Sequence, residues 1–403
     1  MTDGQKASGH GEAMAAAARR FSRELAEGAA ERDLHRTMPL AEARRLRELG
    51  FHAARVPTAY GGPGVSFVEL AEVMMHLGAG DPNLAQMIQP HFVLLDWLLL
   101  EAPEAQRRRF FADVLKGDII TNAFSERGTK TPGHFATTLS RSGGRYRLSG
   151  SKFYATGSLI ADKFYVMATL EDGTLALAIV PKDRAGLEIV DDWDGMGQRT
   201  TASGTVRLND VAVEAAEVVP VGWGKQRSYL GAASQLVHAS IDVGIAHAAL
   251  SDAILYAKTK ARPVAESGVD RATDDPYVLQ LVGQMSVIAH SAEALLYRSA
   301  AKVDRTFAAH HGGSVGRDGM ERLYSETSIA VAEAKAAAND ASLRVSEMLF
   351  GVGGASATLR KYDLDRHWRN ARTHTTHDPV SYKYKAIGDY LLNDRPPPIS
   401  TKI

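Results

Sequence analysis

The 403-residue sequence contains no cysteine. That absence excludes disulfides, thiolate nucleophiles and Cys-ligated zinc or iron–sulfur centres. Neither charge is in excess, since 47 Lys and Arg face 47 Asp and Glu. Nucleic acid and anionic membrane are therefore not expected as partners, because each needs a basic surface. The longest apolar run, Phe92 to Leu100, is broken by Asp96 and falls far below the ~20 residues of a membrane-spanning helix. Met1 to His10 is polar and Gly-rich with no apolar h-region. No signal peptide is expected, and a soluble, cytoplasmic protein is. At this length two or three domains are expected.

What is present comes in three textures. Residues 1–116 read as an all-helical domain. Helical spacing covers about Glu12 to Glu48, and Val56 to Gly64 is a breaker-rich loop. Ser66 with Glu69 forms a capping box opening the next helix. Further helices are expected after Asp81-Pro82 and across Phe92 to Leu100. Residues 117–226 are strand-rich and turn-punctuated. Asp118–Phe124, a hairpin around Ser142-Gly143-Gly144, Phe153–Thr156, Phe164–Ala168, Leu175–Val180, Leu187–Val190 and Gly204–Leu208 suggest a small antiparallel barrel or sandwich. Residues 227–403 turn helical again, with long segments around 239–260, 277–309, 322–350 and 381–392. They read as a C-terminal four-helix bundle, with Ala308 to Met320 as an exposed connection. The fold class is thus mainly α with a central β domain.

One stretch stands apart. Arg366 to Pro379 packs three histidines, three arginines, a tryptophan and an aspartate into fourteen residues, far more titratable groups than an amphipathic helix needs. Pro379 disfavours helical geometry at Asp378, so His377 and Asp378 are expected at a helix end or loop. Tunable polar groups held between helices suit an active site. Gly351-Val352-Gly353-Gly354 resembles a dinucleotide fingerprint only superficially, because it follows a helical pattern and lacks a βαβ context. Packing of a loop suits those glycines better. His238, His247, His290, His310 and His311 show no paired carboxylate and no metal-ligand spacing. They read as structural or surface residues, and no metal site is expected.

The order helices, β domain, bundle, with Ser125-Glu126 after Asn122-Ala123-Phe124, resembles the acyl-CoA dehydrogenase fold. Gly150-Ser151-Lys152-Phe153-Tyr154-Ala155-Thr156-Gly157 is similar to that fold's segment lining the flavin ring. Tyr256 to Arg262 is similar to its helix end, whose arginine reaches a flavin phosphate across a subunit interface. The dehydrogenases carry a glutamate base in the C-terminal loop, which is absent here. Instead Arg366 to His374, continuing through Asp378-Pro379 to Tyr390-Leu391-Leu392-Asn393-Asp394-Arg395, resembles the flavin-dependent monooxygenase branch. That branch includes dibenzothiophene S-oxygenases and indole-oxidising enzymes of terpenoid biosynthesis.

The resemblance implies the oxygenase component of a two-component system. Reduced FAD, with FMN as the alternative, would come from a separate NAD(P)H:flavin reductase and activate O2 as a C4a-(hydro)peroxide to oxygenate an indole-like or thiophene-like heterocycle. It implies His377 as the acid–base group, Asp378 as its orienter and His91 as a substrate-pocket histidine. Asn122, Phe124, Ser125, Thr129, Phe153, Tyr154, Thr156, Trp193, Gly353, Gly354 and His374 are expected at the cofactor. Arg262 is expected at its phosphate, which implies a homotetramer built as a dimer of dimers. Ala155 stands where thiophene-oxidising relatives carry a serine, with Thr156 or Ser158 as substitutes for its hydroxyl. An acyl-CoA dehydrogenase with its base elsewhere, an amine or amino-sugar N-hydroxylase, and a flavin-binding scaffold without chemistry remain as alternatives.

Overall fold

The computed structural model describes residues 3–128, 135–222, 226–400 and 402–403. Five helices open the chain: α1 (Asp3–His35), α2 (Leu40–Glu48), α3 (Phe67–Gly80), α4 (Pro82–Glu101) and α5 (Glu104–Leu115). The expected helix over 12–48 is two, because Arg36 turns to φ 51° and Pro39 starts α2. The capping box is present: Ser66 Oγ accepts the Glu69 N–H at 3.2 Å, and Glu69 Oε2 accepts the Ser66 N–H at 2.8 Å. The two helices expected after Asp81 are one. α4 runs straight through Pro90. Every residue from Pro82 to Phe92 is buried, and that packing outweighs the roughly 3 kcal/mol a mid-helix proline costs.

Eight strands follow: β1 (Ile120–Ala123), β2 (Thr138–Ser142), β3 (Arg145–Lys152), β4 (Lys163–Leu170), β5 (Leu175–Pro181), β6 (Leu187–Val190), β7 (Thr205–Val213) and β8 (Val218–Pro220). They hydrogen-bond in the order β6-β7-β3-β2-β4-β5-β8, with β1 on β4. The expected antiparallel barrel needs correction on two points. β4 runs parallel to β1 and β2, and the two ends of the path, β6 and β8, do not pair with each other. Phe153–Thr156, expected as a strand, leaves the sheet: β3 stops at Lys152 and Tyr154 sits at φ 57°. Alternation along β4 explains how the sheet joins the rest. Phe164, Val166 and Ala168 enter the sheet's own core, whereas Tyr165 and Met167 enter the helical core.

The remaining helices are α6 (Leu230–Thr259), α7 (Pro276–Gly312), α8 (Arg317–Gly353), α9 (Asp365–Thr375) and α10 (Val380–Asn393). The exposed connection between α7 and α8 is shorter than expected, since α7 runs on to Gly312 and α8 starts at Arg317. α6 is the central element, packed against α3, α4, α7, α8 and α9. It crosses α3 closely at Gly244, where a Cβ would collide with the Met75 carbonyl. Among the described residues no helix is long and apolar enough to cross a membrane.

Candidate functional site

The dense C-terminal stretch is α9 and the turn after it, and its charges divide into two sets. One set fastens the helix. Arg366 Nη2 and His367 Nε2 bind the same Asp252 oxygen of α6 at 2.7 and 2.8 Å. Burial alone would raise the Asp252 carboxyl, but the His367 hydrogen bond and the Arg366 charge hold it well below the usual range. Arg369 reaches Asp33 at 2.7 Å, Asp363 at 2.8 Å and Asp365 at 2.6 Å. Half of the density that marks this stretch is therefore anchorage.

The other set points inward from α9 and the turn before α10. His374 Nδ1 lies 2.6 Å from Asp242 Oδ1 of α6, and the second Asp242 oxygen is paired with Lys335 of α8. His374 Nε2 lies 3.0 Å from His238 Nδ1 and 3.1 Å from the Gln86 amide of α4. The His238 ring overlies that of His377 at 4.5 Å between centroids, inclined by 32°. His377 Nδ1 in turn sits 3.1 Å from Asp378 Oδ2, which also accepts from Gln235 Nε2 at 2.8 Å. Asp242, Lys335, His238, His374 and Asp378 are buried, while the His377 side chain is 50% exposed. A row of side chains thus runs from a fully buried ion pair to one histidine that meets solvent.

Electrostatics give each member a distinct state. Burial pushes His238 and His374 below the ordinary histidine range, so both are neutral near pH 7. Burial would raise Asp242, but its close contacts with His374 and Lys335 more than offset this and hold it below the ordinary carboxylate range. An ionised Asp242 takes the Nδ1–H of His374. The His374 Nε2 then faces both His238 Nδ1 and Gln86 Oε1. Asp378 is held well below the carboxylate range, because the His377 hydrogen bond and the neighbouring positive groups outweigh its burial. It is a standing anion that fixes the His377 ring through Nδ1 and leaves Nε2 for chemistry.

The β domain supplies a second wall. Phe153 and Tyr154 lie 4.5 Å apart, and Trp193 lies 6.3 and 5.9 Å from them. Tyr154 holds its left-handed backbone while 54% exposed, a strained position for a bulky residue. Asn122 Nδ2 donates to the Tyr154 carbonyl at 3.4 Å, and its buried Oδ1 has no partner among the described residues. Both walls meet on α4. Gln86 touches His374, and the next carbonyl, that of Met87, approaches Gly157 so closely that a Cβ there would collide with it. Gln198 ties the junction, and nothing in the sequence pattern marks it. Its N–H donates to Asn370 Oδ1 of α9 at 2.6 Å, its side chain donates to the Pro82 carbonyl at 3.3 Å, and its own carbonyl accepts from Trp193 Nε1 at 2.8 Å.

The other expected site residues are placed as follows. Thr156 is buried in a hydroxyl chain, 2.9 Å from Ser203 Oγ, which is 2.8 Å from Thr201 Oγ1. Ser158 Oγ donates to the Ala202 carbonyl at 2.8 Å. Both hydroxyls offered as substitutes at Ala155 are thus committed inside the turn. Ser125 is exposed and its carbonyl accepts the Phe153 N–H at 2.8 Å, while Phe124 packs on Phe135 at 5.2 Å. Between them Glu126 forms a buried pair with Lys152 at 2.6 Å, and burial lowers that lysine to about 8. Thr129 lies outside the described residues. His91 needs correction: it is fully buried, with Nδ1 accepting the Ile120 N–H at 3.0 Å and Nε2 donating to the His52 carbonyl at 2.9 Å. Neither nitrogen is left for a substrate. Arg262 is exposed beyond the end of α6. Gly353 and Gly354 close α8 against Tyr256 and Ala357. These three are not brought to the His377 cluster within one chain.

The sequence matches the family models for the acyl-CoA dehydrogenase N-terminal domain over residues 8–118, middle domain over 122–211 and C-terminal domain over 236–382. It is 31% identical to a dibenzothiophene monooxygenase of Rhodococcus qingshengii over 95% of this chain and 94% of that protein. It is also 31% identical to a probable FMNH2-dependent monooxygenase, SfnC, of Pseudomonas putida, over 95% of each chain. Among solved structures, FMN-bound TdsC from Paenibacillus sp. A11-2 superposes with a TM-score of 0.89 at 29% identity, covering 97% of this chain and all of that one. The same protein has been solved with FMN and indole together.

Proposed function

The chain belongs to the acyl-CoA dehydrogenase family, as a flavin-dependent monooxygenase enzyme within it, and from that premise we propose that it is the oxygenase half of a two-component system. A separate NAD(P)H:flavin reductase supplies the reduced flavin, and the substrate is an aromatic heterocycle of indole or thiophene type. FMN takes precedence over the FAD first expected, because SfnC and TdsC are described with FMN. The observation that carries the reading is His377. It is half exposed, oriented by a permanently ionised Asp378 and backed by a buried His238–His374–Asp242–Lys335 row.

The residues fit a flavin. The unpartnered Asn122 Oδ1 suits a ring N–H, and Phe153, Tyr154 and Trp193 offer flat apolar surface for a tricyclic ring. Bound reduced flavin supplies the two electrons that activate O2, one oxygen atom going to the substrate and the other to water. The protein's part follows from its own groups. The aromatic wall keeps water from the reacting centre. His377 Nε2 gives or takes the proton, and Asp378 stabilises the imidazolium when it forms. His238, kept neutral by burial, packs on His377 without adding a competing charge. Arg262, exposed and remote from the cluster, serves the flavin phosphate of a neighbouring copy in a homotetramer.

Two experiments test this. Reduced FMN or FAD supplied anaerobically and then mixed with O2 should reoxidise slowly in more than one phase when followed by absorbance. Single-step reoxidation with both flavins would favour the dehydrogenase alternative, which bleaching of bound flavin by butyryl-CoA would then establish. His377→Ala should lower product formation about 100-fold or more while flavin binding is retained, the reducing equivalents appearing as H2O2. Undiminished oxygenation in that variant would remove His377 from the mechanism.

A further inference from the structure

We propose that His247, His290 and Glu293 form a binding site for a divalent transition-metal ion of the zinc or cobalt type. His247 lies on α6, and His290 and Glu293 lie on α7. Each residue places one ligand atom within 4.8 Å of the other two. Glu293 follows His290 by three positions, so the two share a face of α7, and His247 meets them from across the helix pair. His247 Nε2 is 3.0 Å from Glu293 Oε2, and the two imidazole rings stand edge to face at 5.3 Å.

His290 Nδ1 is 2.7 Å from the Ser286 carbonyl one turn back, so that nitrogen carries the proton and donates it. The lone pair is then on Nε2. Ligating histidines are held in this way, with the far nitrogen tied to a carbonyl or carboxylate so that ring and tautomer are set. The metal would take the place of the proton now shared between His247 and Glu293.

The donor set decides the class of ion. Two imidazoles and one carboxylate offer too few oxygens for calcium and no rigid octahedron for magnesium, but they suit zinc, cobalt, nickel or ferrous iron. Three protein ligands leave the remaining position to water. The ion would cross-link α6 to α7, five residues along α6 from Asp242, and so brace the helix that carries the inner end of the histidine row.

The test uses the full chain without a polyhistidine tag, stripped of metal with a chelator. Titration with Co2+ should produce visible d–d bands saturating at one ion per chain, and Zn2+ should abolish them. His290→Ala and Glu293→Gln should each weaken Co2+ binding by about 100-fold. His377→Ala, which alters the other histidine cluster, should leave the titration unchanged. Added Zn2+ should raise the melting temperature of the wild type but not of His290→Ala. Absence of one-to-one binding, or binding that survives His290→Ala, would overturn the assignment.

Discussion

His91 shows how one residue type can serve either chemistry or fold. It sits where α4, the turn at His52 and β1 meet, and it satisfies one backbone donor and one backbone acceptor at once. His91→Leu would leave both unpaired in the interior, a loss of about 1–3 kcal/mol for each. His91→Gln, which offers one donor and one acceptor, should recover part of that in denaturant unfolding. Burial lowers His91 to about 4, against an unfolded value near 6.5. The unfolded chain takes up the proton first, so the contribution is complete above pH 6.5 and is lost as pH falls toward 4. Over that window the shift amounts to about 3 kcal/mol, and unfolding of His91→Gln should show a correspondingly shallower pH slope. Local sequence could not separate His91 from His377. Both histidines lie near a proline, and only the packing around them shows that one is enclosed and the other meets solvent.

Among the elements, α6 decides the site's geometry. It carries His238 and Asp242, and its distance from α3 is set by Gly244. Gly244→Ala should push the two helices apart and displace Asp242 from His374. The expected outcome is lower thermal stability together with impaired oxygenation, whereas a remote destabilising change would affect only the first. Lys335 on α8 and Asp242 on α6 form an ion pair with almost no exposure. Removing one partner, as in Lys335→Met, strands a buried charge and should cost about 3–5 kcal/mol. The double change to Met and Leu should be milder, as unfolding of the two variants would show. None of this was legible from spacing, since Asp242 and Lys335 are ninety-three residues apart. The turn at Phe153–Thr156 departs from the expected strand for a related reason. Its aromatic and β-branched residues suit a strand, but Tyr154 adopts a left-handed backbone that only the surrounding contacts can hold.

At the scale of the molecule, several large apolar side chains stay exposed on the single chain. Leu255, Val264, Tyr277, Leu279 and Val287 flank α6 and α7, and Leu391 and Leu392 end α10. Exposed apolar groups of this size mark contact faces. If the proposed homotetramer forms, light scattering should give a mass about four times that of the 43.5 kDa chain. Leu279→Glu combined with Val287→Glu should reduce the assembly without unfolding the chain. If Arg262 holds the flavin phosphate of a neighbour, Arg262→Ala should weaken flavin binding in the assembled protein and leave its mass unchanged. A dissociated Leu279→Glu, Val287→Glu chain should lose flavin affinity as well.

The sequence by itself determined the order of helical, β and helical blocks, the capping box at Ser66, and the placing of His377 and Asp378 in a turn before Pro379. Each of these depends on neighbours within a few residues, where turn chemistry and periodicity act. Tertiary structure alone decided that Arg366, His367 and Arg369 are anchors, that His91 is enclosed, and that Gln198 knots the β domain to α4 and α9. It also decided that His374 is set by Asp242 and Lys335 and that His247 meets Glu293. Those assignments turn on partners brought from distant segments and on exclusion of water. Burial and long-range pairing set protonation and tautomer, and neither is a property of any local stretch of chain.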